Sequence, residues 1–206
     1  MTTRWKVIGS IVLSFVVTVA LGAVLFANGY GPLALADRSG RVGTGEAKSR
    51  IDHVLRVTMD GISPSLTHAG AEFEVQREDD LWDGEPSMGS VVTEVVISRT
   101  VISRAKLPTL MDQVTQAWNA LGSRGADRSA PSEEVQSLRG IGQLDGETFL
   151  TFYARPQQDS TYLVTFRAAA YGVLYQPAHE YKLVPPLVRT SLDAKVDVVD
   201  DPYWSH

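Results

Sequence analysis

The chain has 206 residues with 19 basic and 24 acidic side chains, and Arg4 and Lys6 are the only charges before Asp37. From Asp37 onward, 170 residues carry a net charge of −7, long enough for one domain with a full core and acidic enough to disfavour nucleic acid and anionic headgroups. Cysteine is absent, which excludes disulfides, thiolate metal sites, a cysteine nucleophile and a lipid-modified cysteine.

Val7 to Ala27 is a run of 21 uncharged residues, about 31 Å long as a helix and close to the hydrocarbon thickness of a bilayer. Thirteen of them are Val, Ile, Leu or Phe, which together favour insertion by about 4–8 kcal/mol. The spacing predicts a transmembrane helix or signal anchor over 7–27, with residues 1–6 cytoplasmic because Arg4 and Lys6 lead it. Everything after it is then extracytoplasmic. The alternative is a secreted chain: Gly31-Pro32 breaks a helix, and Ala34-Leu35-Ala36 offers a cleavage site after Ala36. Ser10, Ser14, Thr18 and Gly22 recur every four residues, a small-residue row that would let two helices approach closely and suits a homodimer or an envelope-protein partner.

Residues 28–46 are rich in Gly and lack apolar periodicity, as expected of a tether. An extracytoplasmic domain is then expected over 47–175, opened by a helix from about Ala47 to Ile62 with Ile51, Val54, Leu55 and Met59 on its apolar face. Thr44 reads as its N-cap, Glu46 as a first-turn acid, and Gly61 with Pro64 as its end. The period then becomes two. Phe73 and Val75 alternate with Glu72, Glu74 and Gln76, and a β-branched run from Val91 to Ile102 reads as an interior strand.

Lys106 to Leu121 reads as a second helix, with Pro108 in its first turn and Gly122 at its end. Ser123 to Pro131 reads as a polar loop, Val135 to Ile141 as a modest strand, and Thr148–Arg155 with Thr161–Tyr171 as a hairpin closed by Pro156 to Ser160. Residues 176–206 are expected to be irregular, adding at most a strand at Lys195–Val199, with Tyr203-Trp204 at a fraying end. The expected class is α+β: an antiparallel sheet of about five strands with two helices on one face, in the order α-β-β-α-β-β-β.

Tests for chemistry return little. Gly40 to Ser49 resembles a phosphate loop only faintly, since two residues separate Gly45 from Lys48 and no strand precedes it. Gly140-Ile-Gly142 lacks the third glycine of a dinucleotide fingerprint. His53, His68, His179 and His206 hold no metal-ligand spacing, and His179-Glu180 is the one histidine–acid neighbour in the strand-rich half. No cofactor or metal is implied.

The acidic turn Glu78 to Pro86 sets Asp79, Asp80, Asp83 and Glu85 around Trp82, but an EF-hand reading from Asp79 fails, with Leu81 at position three and Ser90 at position twelve. Asp79, Asp80, Trp82 and Asp83 are therefore the candidate binding residues, with Trp82 as a docking knob for a partner protein. The resulting expectation is a non-catalytic, membrane-tethered binding domain of the bacterial cell envelope. The alternative is an exported hydrolase working through carboxylates such as Asp79, Asp83 or Glu180.

Overall fold

Period-two stretches of the chain build a single mixed sheet. A computed structural model describes residues 41–79, 86–128, 136–142, 148–157, 159–176 and 197–206. The Val7–Ala27 span, with Ser10, Ser14, Thr18 and Gly22, and the tether through Ala36 to residue 40 lie outside the described residues. Among those described, no helix is long and apolar enough to cross a membrane.

The elements in chain order are β1 (Val42–Gly43), α1 (Thr44–Asp60), β2 (His68–Asp79), β3 (Pro86–Ser103), α2 (Leu107–Ala120), β4 (Ser123–Arg128), β5 (Gln136–Gly142), β6 (Thr148–Pro156) and β7 (Thr161–Leu174). Across the sheet the strands run β2-β3-β7-β6-β5-β4. All those neighbours are antiparallel, whereas β1 runs parallel to β7, setting Val42 against Val173. The chain thus lays down the β2–β3 hairpin, crosses by way of α2 to the far edge, and returns as a four-strand meander that closes on β3. The class is α+β with two helices, as expected.

Strand number and order differ from the expectation of about five antiparallel strands. β4 occupies part of the segment read as a polar loop; its sequence, Ser-Arg-Gly-Ala-Asp-Arg, has no β-branched residue. Pairing decides it instead: Ser123 faces Gly142 and Arg128 faces Leu138 of β5, so the ladder overrides weak propensity at an edge. β1 draws Val42 and Gly43 out of the expected tether. Gly43, not Thr44, is the N-cap of α1. Thr44 is the first helical residue, fully buried, and its hydroxyl donates to the Leu174 carbonyl at 3.2 Å, fastening the helix to β7.

The core occupies one face of the sheet. Ala71 of β2, Val92 and Val96 of β3, Val164, Phe166, Ala168 and Ala170 of β7, and Leu150, Phe152 and Ala154 of β6 alternate into it. The register lines them up, Val96 and Phe152 flanking Phe166, with the two Phe rings 5.5 Å apart. Ile51, Val54 and Leu55 of α1 and Leu107, Leu110, Val114 and Trp118 of α2 join the same cluster. The Trp118 indole donates to Thr58 Oγ1 at 3.0 Å, and that hydroxyl donates to the Val54 carbonyl at 2.8 Å, so a large polar-tipped ring is buried without an unmet donor.

The C-terminus is part of this core, which overturns the expectation of a fraying Tyr203-Trp204. Trp204 is fully buried and its indole donates to the Pro64 carbonyl at 2.8 Å. Ser103 N–H donates to the Trp204 carbonyl, Ser205 Oγ donates to the Val101 carbonyl, and Asp201 accepts from the N–H groups of Tyr203 and Trp204. Of the expected last strand, Val199 forms a single parallel bridge to Thr100. A terminus frays unless it is tied down, and here the three hydrogen bonds to Pro64, Val101 and Ser103 tie it to the domain while Asp201 braces its turn.

Gly61, just past α1, packs tightly against α2: a Cβ there would lie 2.8 Å from Ala117 Cβ. Gly61→Ala is therefore expected to cost about 1–3 kcal/mol in urea denaturation. The double variant Gly61→Ala/Ala117→Gly is expected to lose at least about 1 kcal/mol less than the sum of the single losses. Strict additivity would mean that the two positions do not touch.

Candidate functional site

Few of the residues singled out from the sequence come together. Asp79 ends β2 in register with Pro86, while Asp80, Trp82 and Asp83 lie outside the described residues, as do His179 and Glu180. His53 is exposed on α1. His68, at the start of β2, is half-buried; its Nδ1 has no hydrogen-bond partner, and burial holds its pKa below the usual value. His206 is exposed, with Nε2 3.1 Å from Asp200 Oδ2. Among the described residues, no group of three or more His, Asp and Glu is placed to hold a metal ion.

The structure instead joins three charged residues that the sequence reading passed over. Lys48 stands three residues before Ile51 and seven before Leu55, so the helical repeat turns it toward the core. Glu94 lies between Val92 and Val96 on the inward phase of β3. The two meet across the helix–sheet contact, with Lys48 Nζ 2.8 Å from Glu94 Oε2. Lys48 also pairs with Asp52, one turn along α1, and sits 5.2 Å from the centroid of Phe73, the register partner of Glu94 on β2. The side chain of Lys48 is 1% exposed, that of Glu94 0% and that of Asp52 16%, so this is a core cluster that meets water only at Asp52.

Its electrostatics are unbalanced. Two carboxylates share one ammonium, and neither oxygen of Glu94 accepts a well-directed hydrogen bond; the Lys48 contact is a close ion pair off the line a hydrogen bond needs. Burial pushes the Glu94 carboxyl up to about 7, the neighbouring Asp52 carboxylate pushes the same way, and Lys48 offsets this only in part. Such a group can hold or release a proton near neutral pH, and among the described residues the Glu94 side chain itself is closed off from solvent. A signal was present in the sequence: a lysine at a core position of a helix and a glutamate inside a β-branched run are each costly unless paired.

The other face of the sheet carries a different surface. Val91, Thr93 and Val95 of β3, Phe149 and Tyr153 of β6, and Leu163, Thr165, Arg167 and Tyr171 of β7 alternate onto it. Neither helix lies on this side. Tyr153 and Tyr171 are each 38% exposed, and Phe149 meets Tyr171 edge-on at 4.9 Å. Arg167 Nη2 lies 3.5 Å from Thr93 Oγ1, Glu72, Glu74 and Gln76 of β2 share this face, and Ile97, Thr151 and Ala169 on it are buried, so the face is mixed, with the two tyrosines as its exposed aromatic groups.

No protein-family model, curated protein or solved structure matches this chain.

Removing Lys48 leaves Glu94 and Asp52 opposed without a counter-charge. Lys48→Met is expected to destabilise the domain by about 3–5 kcal/mol at pH 8, measured by urea denaturation. Lys48→Met/Glu94→Leu is expected to recover most of that loss, since apolar replacement of a buried pair is close to neutral. A Lys48→Met variant within about 1 kcal/mol of wild type would show that the cluster contributes nothing to folding.

Proposed function

We propose that this chain is a single-pass, membrane-tethered, extracytoplasmic binding domain without catalysis, whose contact surface is the sheet face away from the helices. The observation that carries the reading is the pair of half-exposed tyrosines, Tyr153 and Tyr171, set with Phe149 among Val91, Val95 and Leu163. A pair of aromatic side chains standing half-exposed on one sheet face marks a candidate contact surface. Tyrosine suits such a role, because it offers large apolar area at low entropy cost and a hydroxyl for a wet rim.

Location rests on the uncharged Val7–Ala27 run led by Arg4 and Lys6, with the small-residue row at Ser10, Ser14, Thr18 and Gly22 as the means of pairing within the bilayer. Cleavage after Ala36 would release the same domain on the same side. The acidic Asp79–Asp83 turn with Trp82 remains a second candidate contact. The exported-hydrolase alternative gains no support among the described residues, where of the converging carboxylates Glu94 is fully buried and Asp52 alone touches solvent.

Location is tested by adding protease to intact cells. Digestion of the part after Asp37 is expected, with loss of a C-terminal epitope; complete shielding until lysis would place the domain inside and end the proposal. The surface is tested by photo-cross-linking in living cells, with the cross-linker at Tyr153, at Tyr171 or at the exposed helix position His53. Discrete adducts are expected from the two sheet positions and not from His53. Equal labelling from all three, or none from the sheet, would remove this face as the binding surface.

A further inference from the structure

The contact between α1 and β3 holds a charge that its own residues do not neutralise. From α1 come Lys48 and Asp52; from β3 comes Glu94. The strands on either side of Glu94 add nothing ionisable, because its register partners are Phe73 on β2 and Ala168 on β7. Glu72, Glu74 and Arg167 sit on the opposite phase of those strands, facing away. The buried total with all three groups ionised is one negative charge, and Glu94, fully buried, makes no well-directed hydrogen bond.

We propose that the Lys48–Asp52–Glu94 cluster takes one proton from solvent onto the Glu94 carboxyl, and that this proton governs how firmly helix α1 is held on the sheet. With the proton bound, the cluster is one ammonium and one carboxylate with a neutral acid beside them, a set the core can keep. When the proton leaves, two carboxylates face each other beneath the helix, and the least costly relief is for α1 to lift and let water in. Asp52 is the member already in contact with solvent, so the proton enters and leaves on that side.

The direction follows from linkage. Glu94 is raised from 4.5 to about 7 in the fold, so its stabilising contribution is complete below about 4.5 and is lost as pH rises through about 7. Helix α1 is preceded only by the two-residue strand β1 and residues 1–41, so the element that loosens is the one joined through β1 to the expected tether. This device does not depend on which surface of the domain binds a partner.

Hydrogen exchange with mass spectrometry tests it on the full chain in detergent micelles, at about pH 5.5 and about pH 8.5, with times scaled for the intrinsic rate. Peptides covering Thr44–Asp60 are expected to exchange at least about three-fold faster at the higher pH, while those covering Leu107–Ala120 stay unchanged. In Glu94→Gln the difference is expected to vanish. Asp52→Asn, at a partly exposed position, is expected to move the α1 transition to lower pH, because it removes the charge that helps hold the proton on Glu94. Equal α1 exchange at both pH values in wild type, a difference that persists in Glu94→Gln, or an equal change in α2 would overturn the proposal. Should Glu94→Gln fail to fold, an unmoved transition in Asp52→Asn overturns it alone.

Discussion

A chain without cysteine has no cross-link to hold its sheet to its helices. Among the described residues, the main apolar cluster is the layer between the inner sheet face and the two helices, and it carries most of what joins them. The fully buried aromatic side chains among the largest, Trp118, Trp204, Phe152 and Phe166, come from a helix, the C-terminal tail and two adjacent strands. Each brings a distant stretch of chain into that layer, and each large ring buries roughly 150–250 Å². The tail is drawn in because the layer would otherwise be open at the end where β3 runs out and Pro64 turns. Its hydrogen bonds to Val101 and Ser103 then fasten the end of β3.

Into this one layer the sequence places a lysine and a glutamate, which an apolar pair of similar volume would replace at little or no cost. A buried ion pair is weak evidence for stability, so its presence asks for another role. Geometry offers one. Alternation along β3 and the helical repeat of α1 each permit slippage among aliphatic positions, whereas Lys48 can meet Glu94 at one register alone. The excess carboxylate goes further than registration requires: Asp52 would be free to be any polar residue if pairing alone were at issue. A lone ion pair loses its energy only where its carboxylate or its ammonium titrates, whereas here burial and the second carboxylate together bring the titration of Glu94 to about 7.

How much of this was legible depended on whether local pattern or long-range pairing settled each element. Both helices and the β6–β7 hairpin follow from periodicity and from the turn residues Gly61, Gly122 and Pro156 to Ser160, because those signals lie within a few residues of one another. Edge strand β4 was not legible, since Ser123–Arg128 has no strand propensity and exists through its partner β5. Nor was the seat of Trp204, whose hydrogen-bond acceptor is 140 residues away. Lys48 and Glu94 are an intermediate case: each sat visibly at a core phase of its own element, but 46 residues separate them, and periodicity read one element at a time does not match cations to anions. The acidic turn drew attention through density of charge, although density in a hairpin tip is what solvation alone produces.

Topology also bears on how such a domain can meet a partner. Sheets associate through edges or through faces, and the two routes are not equally open here. Among the described strands β2 forms one edge, and its outward phase carries the charged Glu72 and Glu74, which resist the addition of a further strand. β4 forms the other, six residues long with a register break between Arg124 and Asp127, too short and irregular to template an extended pairing. Edge addition is thus blunted at both ends while the outer face keeps Tyr153, Tyr171 and Phe149. Sequence that spends charge on the edges and aromatic area on the face directs association to the face, and leaves the helix side to hold the domain together.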